Sequence, residues 1–259
     1  MGTVIYEKGI FLNACYDELN LTNPDLIKSI HQSYVDAGAD VILTNTFGAN
    51  RIKLEKYGLA DKVKEINIAG VKLARSTSED VYVLASIGSN LSSGEILTSE
   101  NLERIKASYK EQISILVDAG VDGIILETFF DVEELLLASS IAKEFDIPVI
   151  ASMTLTKEME TPKGLSIVTA LKKLDKSQSV DILGLNCSIG PHAMLSAVEK
   201  VIGSISKPLV VQPNAGHPQK RDGRMIYLST PEYFTSYCKN YINLGVMGVG
   251  GCCGTNVEH

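Results

Sequence analysis

Two stretches, DAGADVILTNT at residues 36–46 and DAGVDGIILET at residues 118–128, decide the fold class. Each has a glycine, Gly38 or Gly120, where a helix would end, because glycine readily adopts the left-handed conformation that closes a helix. Each then continues as an apolar run without alternation, which is typical of a parallel strand covered on both faces. The repeat therefore predicts βα units that build a parallel sheet.

The same alternation runs along the whole chain. Predicted strands cover residues 41–46, 81–87, 123–128, 148–154, 182–188, 208–214 and 246–250. Predicted helices cover residues 24–37, 62–78, 99–119, 132–144, 165–176, 191–205 and 231–244, and long loops are predicted at 157–164 and 216–227. This pattern indicates an α/β chain, either a parallel barrel or a doubly wound sheet, in a single domain over residues 1–259. An eight-stranded barrel would need one more strand before Met1 and one more helix after Thr255.

Composition excludes several classes of protein. The 259 residues are 45% hydrophobic, which suffices for one large core. The net charge of −7 and the lack of a basic block argue against nucleic acid or an anionic membrane as a partner. The sequence has no 18-residue apolar run and no signal-peptide pattern. Five cysteines in so long a chain are not a disulfide framework, so we expect free thiols and a cytoplasmic protein.

Three cysteines stand at the ends of predicted strands. Cys187 lies in LGLNCS, and Cys252 and Cys253 lie in VGGCCGT, where Gly250, Gly251 and Gly254 give the chain freedom to turn. In a parallel barrel the strand ends share one face, where active sites gather. Three thiolates are a ligand set for a catalytic Zn²⁺ with one position open, and such a site suits alkyl transfer onto a substrate thiol.

Two other interpretations of these cysteines remain open. The thiols could be small buried apolar residues, as we expect for Cys15 and Cys238, which lie away from predicted strand ends. Alternatively, the vicinal pair could form a redox switch. The four histidines show no metal-ligand spacing, and we expect surface or loop positions for them.

Polar residues at other predicted strand ends are further candidates. Asn214 could reach the open metal position or the substrate, or it could simply form a turn before Ala-Gly. Thr44, Asn45 and Thr46 could bind polar groups of a substrate, or make ordinary strand-end hydrogen bonds. Asn186 and Ser188 flank Cys187, and we expect one of them to orient a thiolate.

Several motifs together resemble the homocysteine S-methyltransferase family. They are GGCCGT at Gly250 to Thr255, GLNCSIGP at 184–191, ADVILTNTFGANRIKL at 39–54, DGIILETF at 122–129 and PNAG at 213–216. The resemblance covers essentially the whole chain. It implies a zinc-dependent (β/α)8 TIM-type barrel that methylates homocysteine to methionine.

Residues 6–27 refine this resemblance. They are similar to the homocysteine modules of cobalamin-dependent methionine synthase, and more so to modules fused to a methylenetetrahydrofolate reductase. The methyl donor would be linked to methyltetrahydrofolate, through fused or associated folate and cobalamin modules, or it would be a sulfonium such as S-methylmethionine.

The resemblance also assigns roles to individual residues. It implies that the Glu127 carboxylate binds the substrate's amino group, although a carboxylate there could instead stabilise the next helix N-terminus. It implies that Gly2 and Thr3 belong to a loop whose backbone amides bind the substrate carboxylate. By this resemblance, we expect that the family's first strand, which precedes this loop, and its closing helix are missing from this chain. A non-catalytic or incomplete fragment of a larger enzyme is therefore an alternative to an active methyltransferase.

Overall fold

The computed structural model describes residues 1–11, 13–92, 94–221 and 224–259. Its strands are β1 Val41–Leu43, β2 Tyr82–Gly88, β3 Gly123–Phe129, β4 Val149–Met153, β5 Ile182–Asn186, β6 Leu209–Gln212, β7 Gln219–Arg221, β8 Arg224–Ile226 and β9 Gly248–Val249. All seven predicted strands are confirmed. Most end before the predicted residue, because the polar residues at their carboxyl ends leave the sheet.

The main sheet has the order β1-β2-β3-β4-β5-β6-β9. The pairings β1–β2, β4–β5, β5–β6 and β6–β9 are parallel. The spatial order of the strands follows their order along the chain, whereas a doubly wound sheet reverses its order at a switch point. This sequential order excludes the doubly wound alternative among the described residues.

Among the described residues, ten α-helices accompany the strands. They are α1 Gly2–Glu7, α2 Leu19–Thr22, α3 Pro24–Asp36, α4 Arg51–Glu55, α5 Val63–Arg75, α6 Leu102–Asp118, α7 Val132–Lys143, α8 Ile167–Asp175, α9 Pro191–Val201 and α10 Pro231–Asn243. The seven predicted helices are confirmed, and the short helices α1, α2 and α4 are additional. Gly38, Gly120 and Gly245 have positive φ values of 88°, 92° and 96°, which confirms that they close helices. Within the described part of the chain, no helix has the length and apolar character needed to cross a bilayer.

The chain divides into two compact units. Unit 1 comprises Met1–Leu126 and Glu133–Val149. One of its apolar clusters consists of Ile5, Leu19, Ile27 and Ile30. Unit 2 comprises Glu127–Val132 and Ile150–His259. The single domain over residues 1–259 stays a prediction.

The register of unit 2 places the cysteines. Asn186 pairs with Gln212 across β5 and β6, and Val211 pairs with Val249 across β6 and β9. Because β6 is the common neighbour, the residues that follow β5 and β9 leave the sheet at the same edge.

The loop predicted at residues 216–227 is wrong in part. Residues 219–221 and 224–226 form two antiparallel strands, in which Gln219 pairs with Ile226 and Arg221 with Arg224. The sequence lacks the apolar alternation that signals a hairpin, since polar residues fill the first strand. Residues 222 and 223 of this predicted loop lie outside the described residues.

Candidate metal centre

Three thiols converge in unit 2. The Sγ atoms of Cys187, Cys252 and Cys253 all lie within 4.8 Å of one another. The Sγ atoms of Cys187 and Cys253 are 3.6 Å apart. All three side chains are half-buried, so a ligand from solvent can reach them. The predicted meeting of the three cysteines is therefore confirmed.

The turn after β9 lets two adjacent cysteines serve one site. The Cys252 amide donates to Pro213 O at 2.9 Å, and the Thr255 amide donates to Cys252 O at 3.2 Å. Gly254 has a φ of 80°, as predicted for a glycine that lets the chain turn. Gly250 and Gly251 do not have positive φ. Gly251 instead provides space, because a Cβ there would lie 2.4 Å from Thr255 Oγ1.

Cys187 lies in a strained turn. Its φ is 63°, and the next residue, Ser188, has a φ of 62°. The Ile189 amide donates to Cys187 O at 2.7 Å, so the chain reverses over three residues. Non-glycine residues with positive φ persist where the surrounding structure holds them, and they cluster at functional sites. This conformation turns the Cys187 side chain out of the strand.

The three thiols differ in their pKa values. Hydrogen bonds from Cys187, Cys252 and then Tyr227 lower the pKa of Cys253 to about 3, against the effect of burial. Hydrogen bonds to Cys187 and Cys253, followed by burial, raise the pKa of Cys252. A hydrogen bond with Cys252 lowers the pKa of Cys187, but Cys253 and burial outweigh it, and the pKa rises to about 12. The hydrogen bonds among these groups therefore favour the thiolate form at Cys253 over Cys187 and Cys252.

Asn186 links the thiols to a carboxylate. Its Nδ2 lies 4.0 Å from Cys252 Sγ and 3.4 Å from Glu127 Oε2. Its Oδ1 accepts from the Thr128 amide at 2.8 Å and from Ser152 Oγ at 2.7 Å. Asn186 therefore contacts the thiol of Cys252 and not that of Cys187, because consecutive strand residues point to opposite sides. The expectation that a neighbour of Cys187 orients a thiolate stays a prediction.

Glu127 lies within β3 on the same side as Asn186 Nδ2. Helix α7 begins only at Val132, so the alternative role at a helix N-terminus does not apply to Glu127. Thr128, the next residue, has a φ of 61° and is held by Asn186 at both its amide and its hydroxyl. The contact between Glu127 and a substrate amino group stays a prediction.

Asn214 holds the cysteine turn in place. Its Oδ1 accepts a hydrogen bond from the Cys253 amide at 3.2 Å, and its side chain is buried. The Ala215 amide, next along the chain, donates to Cys253 O at 2.9 Å. Asn214 is thus beside the thiols as predicted, and a direct contact with metal or substrate stays a prediction.

The candidates in unit 1 are held by internal hydrogen bonds. Thr44 Oγ1 and Thr46 Oγ1 are 2.6 Å apart, and Thr46 Oγ1 donates to Ser86 O at 2.9 Å. Asn45 Nδ2 donates to Tyr16 O at 2.7 Å. These bonds match the strand-end alternative, and the predicted substrate contact of Thr44 and Asn45 stays a prediction.

Gly2 and Thr3 begin helix α1 in unit 1, so the predicted loop conformation for them is wrong. Helix α1 has six residues, and it buries Ile5 in the apolar cluster of unit 1. The predicted contact of their amides with a substrate carboxylate stays a prediction.

Of the remaining cysteines, Cys15 is buried and Cys238 is half-buried, and one histidine, His31, is also buried. Cys15 packs with Ala49, Leu54, Val63 and Ile66, which confirms its role as a small apolar residue. Cys238 is half-buried, and burial raises the pKa of its thiol to about 11. The expectation of a surface or loop position is wrong for His31, which lies on α3 and is 3% exposed. Burial lowers the pKa of His31 to about 4.

Sequence reasoning missed Tyr227. Its hydroxyl donates a hydrogen bond to Cys253 Sγ. No motif spacing connects Tyr227 with Cys253, and the contact depends on the hairpin that precedes Tyr227. The only sequence signal was its position at the end of a long predicted loop next to PNAG.

The three sulfurs fit a zinc ion. Ligands at about 2.3 Å from a tetrahedral Zn²⁺ stand about 3.8 Å apart. The 3.6 Å separation of Cys187 and Cys253 and the 4.8 Å limit for all three sulfurs agree with this spacing. An all-thiolate donor set also suits a soft or borderline metal better than Mg²⁺ or Ca²⁺.

Comparison with known proteins gives relatives along the whole chain. The family model described as Homocysteine S-methyltransferase matches residues 1–259. The methionine synthases of Mycobacterium tuberculosis (strain ATCC 25618 / H37Rv) and Mycobacterium leprae (strain TN) are 31% and 30% identical to the chain over 262 residues. Each match covers 96% of this chain and 22% of the relative, so the chain spans about a fifth of the length of these curated relatives.

Solved structures share the fold. The metallated form of the homocysteine methyltransferase MmuM from Escherichia coli superposes with a TM-score of 0.82 at 23% identity, covering 99% of this chain and 90% of that chain. The apo form gives a TM-score of 0.75 at 22% identity, covering 99% and 89%. This likeness confirms the predicted α/β class with its parallel sheet. Because the family model covers every residue of the sequence, the chain belongs to the homocysteine S-methyltransferase family.

Proposed function

We propose that this chain methylates the thiol of homocysteine to give methionine, using a Zn²⁺ ion held by Cys187, Cys252 and Cys253. The convergence of the three Sγ atoms within 4.8 Å carries this proposal. A bound Zn²⁺ would supply an open position for the substrate sulfur and favour its thiolate form at neutral pH.

The chain's own residues bind and orient the substrate. The Glu127 carboxylate pairs with the ammonium group of homocysteine, and Asn186 Nδ2, 3.4 Å from Glu127 Oε2, holds that carboxylate in position. The thiol proton passes to solvent. The substrate sulfur then forms a bond to the methyl carbon as the bond between that carbon and the donor breaks. Positioning and the negative charge on sulfur lower the barrier.

The methyl donor is either linked to methyltetrahydrofolate or a sulfonium such as S-methylmethionine. A sulfonium donor loses its methyl group directly, leaving a neutral thioether. A folate-linked donor requires folate and cobalamin modules that are fused to or associated with this chain. The relatives named methionine synthase are several times longer than the matched region, which supports the folate-linked route.

We also propose an architecture for the chain and a location for it in the cell. We propose the TIM-type (β/α)8 barrel, because the strands of the sheet follow chain order. We propose a cytoplasmic location, because all five cysteines are free and free thiols persist in a reducing compartment.

One experiment separates this function from its rivals. Zinc per chain is measured by elemental analysis of the purified protein, and methionine formation from homocysteine is followed by mass spectrometry. S-methylmethionine and methylcobalamin serve as donors in parallel reactions. We expect one zinc per chain and methionine from at least one donor.

The other outcomes identify the alternatives. One zinc per chain without turnover on either donor would support a non-catalytic or incomplete fragment. No zinc, together with a reversible Cys252–Cys253 disulfide, would support a redox protein.

The role of Glu127 has its own test. Glu127→Gln keeps the shape of the side chain and removes its charge, so the KM for homocysteine should rise about 10- to 100-fold, which corresponds to the strength of a charge-assisted hydrogen bond. Zinc content should not change. Steady-state kinetics with varied homocysteine measure the effect, and an unchanged KM would exclude the ammonium contact.

A further inference from the structure

We propose that Tyr227 is a positioning residue of the metal centre, whose hydroxyl holds the Cys253 sulfur and sets how tightly the three cysteines retain Zn²⁺. The inference rests on the proposed zinc site and adds a residue from outside the two motifs that contain the three cysteines. Tyr227 O–H donates to Cys253 Sγ, and the tyrosine side chain lies against Gly254, the residue after Cys253.

The backbone fixes where Tyr227 lies. It directly follows β8, the second strand of the hairpin. Two residues later, the Ser229 amide donates to Ala215 O at 3.0 Å, and the Ala215 amide donates to Cys253 O at 2.9 Å. The segment that carries Tyr227 is thus tied to the cysteine turn by main-chain hydrogen bonds, so the position of the phenol does not depend on one flexible side chain.

Gly254 accommodates the tyrosine. A Cβ at Gly254 would lie 2.1 Å from Tyr227 Cγ and 2.4 Å from Tyr227 Cβ, so any larger residue would displace the ring. The base of the tyrosine side chain therefore packs directly on the backbone of the residue after Cys253. Gly254 serves two needs at once, the turn with its φ of 80° and the approach of Tyr227.

Each sulfur of the site has one hydrogen-bond donor that is not a thiol. The Ser188 amide donates to Cys187. Asn186 Nδ2 lies 4.0 Å from Cys252 Sγ. Tyr227 O–H donates to Cys253. The donors to Cys187 and Cys252 come from the segment around Cys187, whereas the donor to Cys253 comes from the segment after β8.

The physical effect of Tyr227 follows from charge. Three thiolates and one Zn²⁺ carry a net charge of −1, and a half-buried site stabilises that charge less well than water does. The hydrogen of the phenol O–H carries a positive partial charge, which lies next to the sulfur and orients the sulfur's lone pairs. Groups that hydrogen-bond to metal ligands typically change metal affinity 10- to 100-fold when they are removed. We expect an effect of this size for the Tyr227 hydroxyl.

Tyr227→Phe tests the hydroxyl alone, since the ring that packs on Gly254 is kept. Zinc affinity is measured by competition with a chromophoric chelator, without any methyl transfer. We expect the affinity to fall about 10- to 100-fold. In the Co²⁺-substituted protein, the sulfur-to-cobalt charge-transfer band should move to longer wavelength, because a sulfur without its donor gives up an electron more readily.

Tyr233→Phe is the matched control. The Tyr233 hydroxyl is exposed on α10 and bonds to Tyr237 Oη at 3.3 Å, so its loss should leave zinc affinity and the cobalt spectrum unchanged. Zinc affinity of Tyr227→Phe equal to wild type, or an equal loss in Tyr233→Phe, would overturn the role of Tyr227.

The result also separates this inference from the proposed function. A wild-type chain that binds no zinc would overturn both the proposed function and the role of Tyr227. A zinc-loaded wild type without methyl transfer would remove the proposed activity alone, and the affinity comparison would still decide the role of Tyr227.

Discussion

At the end of β1 in unit 1, the hydroxyls of Thr44 and Thr46 bond to each other and to the Ser86 backbone, and all of these groups are buried. At the ends of β5 and β9 in unit 2, the thiols of Cys187 and Cys253 face each other, half-buried and 3.6 Å apart. Both units thus place polar groups at strand ends. Among the residues that the structure describes, only those of unit 2 bring together several good ligands for the same ion.

The backbone shows the same difference. Three non-glycine residues at strand ends of unit 2, Thr128, Cys187 and Ser188, have positive φ. Each costs conformational energy that ordinary strand ends do not require. Strained strand ends with partly exposed ligands therefore distinguish the candidate site from polar strand ends that serve folding.

The largest expected effect comes from removing a ligand in unit 2. Cys253→Ala takes away one of the three ligand sulfurs, so stoichiometric zinc should be lost and methyl transfer should fall at least about 1,000-fold, or ~4 kcal/mol in barrier. Elemental analysis and methionine formation measure the two effects. Cys238→Ala, a half-buried thiol away from the three ligands, is the control and should keep both. If Cys253→Ala retained a full equivalent of zinc, the proposed difference between the strand ends of the two units would be wrong.

A buried carboxylate gives the largest expected effect in unit 1. Glu134 accepts from Ser89 Oγ, Tyr109 Oη and the amides of Asn90 and Leu91 at 2.6 to 3.1 Å. Glu134→Gln turns one acceptor into a donor that faces other donors, so the free energy of unfolding should fall by about 3 kcal/mol. Zinc content should not change.

Urea denaturation measures this loss, and Glu133→Gln is the matched control. Glu133 is exposed on the same helix and should change stability by no more than about 0.5 kcal/mol. Loss of zinc in folded Glu134→Gln would show that the polar groups of unit 1 serve more than folding.

The third prediction concerns pH and Asp17 in unit 1. Burial raises the pKa of Asp17 to about 6, although the Gly48 amide, 2.9 Å from Oδ1, and Lys53 lower it. Because the pKa of Asp17 is higher in the folded protein than in the unfolded one, proton binding to this carboxyl stabilises the fold. The contribution is complete at pH values below the unfolded pKa of 3.8 and is lost as the pH rises through about 6. The loss is at most about 3 kcal/mol.

Asp17→Asn keeps an acceptor for Gly48 and removes the titration. Its stability relative to wild type should therefore improve between pH 4 and pH 7.5, as measured by urea midpoints at both values. An equal difference at the two pH values would show that the Asp17 carboxylate is not perturbed.

Sequence patterns were sufficient for the regular part of the fold. The glycines that close helices and the uninterrupted apolar runs are local signals, and they located all seven strands of the main sheet and the seven longer helices. The helices α1, α2 and α4 have six residues or fewer, too short to be stable alone, and tertiary contacts decide whether they form. Local pattern cannot show them.

The candidate site likewise has one part that could be predicted from the sequence and one part that could not. The three cysteines could be predicted because glycines and strand ends mark them in the sequence. The partners of their sulfurs could not, because side-chain direction at a strained strand end is set in three dimensions. Asn186 adjoins Cys187 yet contacts Cys252, and Tyr227 reaches Cys253 only through an unpredicted hairpin.

The smallest predicted effect decides between the two interpretations of Thr44. Thr44→Val removes a hydroxyl that bonds to Thr46 Oγ1 and accepts from the Ser86 amide at 3.2 Å. If this hydroxyl serves folding, the variant should lose about 1 kcal/mol of stability, and the KM for homocysteine should not change. Urea denaturation and steady-state kinetics on one preparation measure both. A KM raised several-fold with unchanged stability would instead assign Thr44 to the substrate, and polar strand ends of unit 1 would then belong to the site as well.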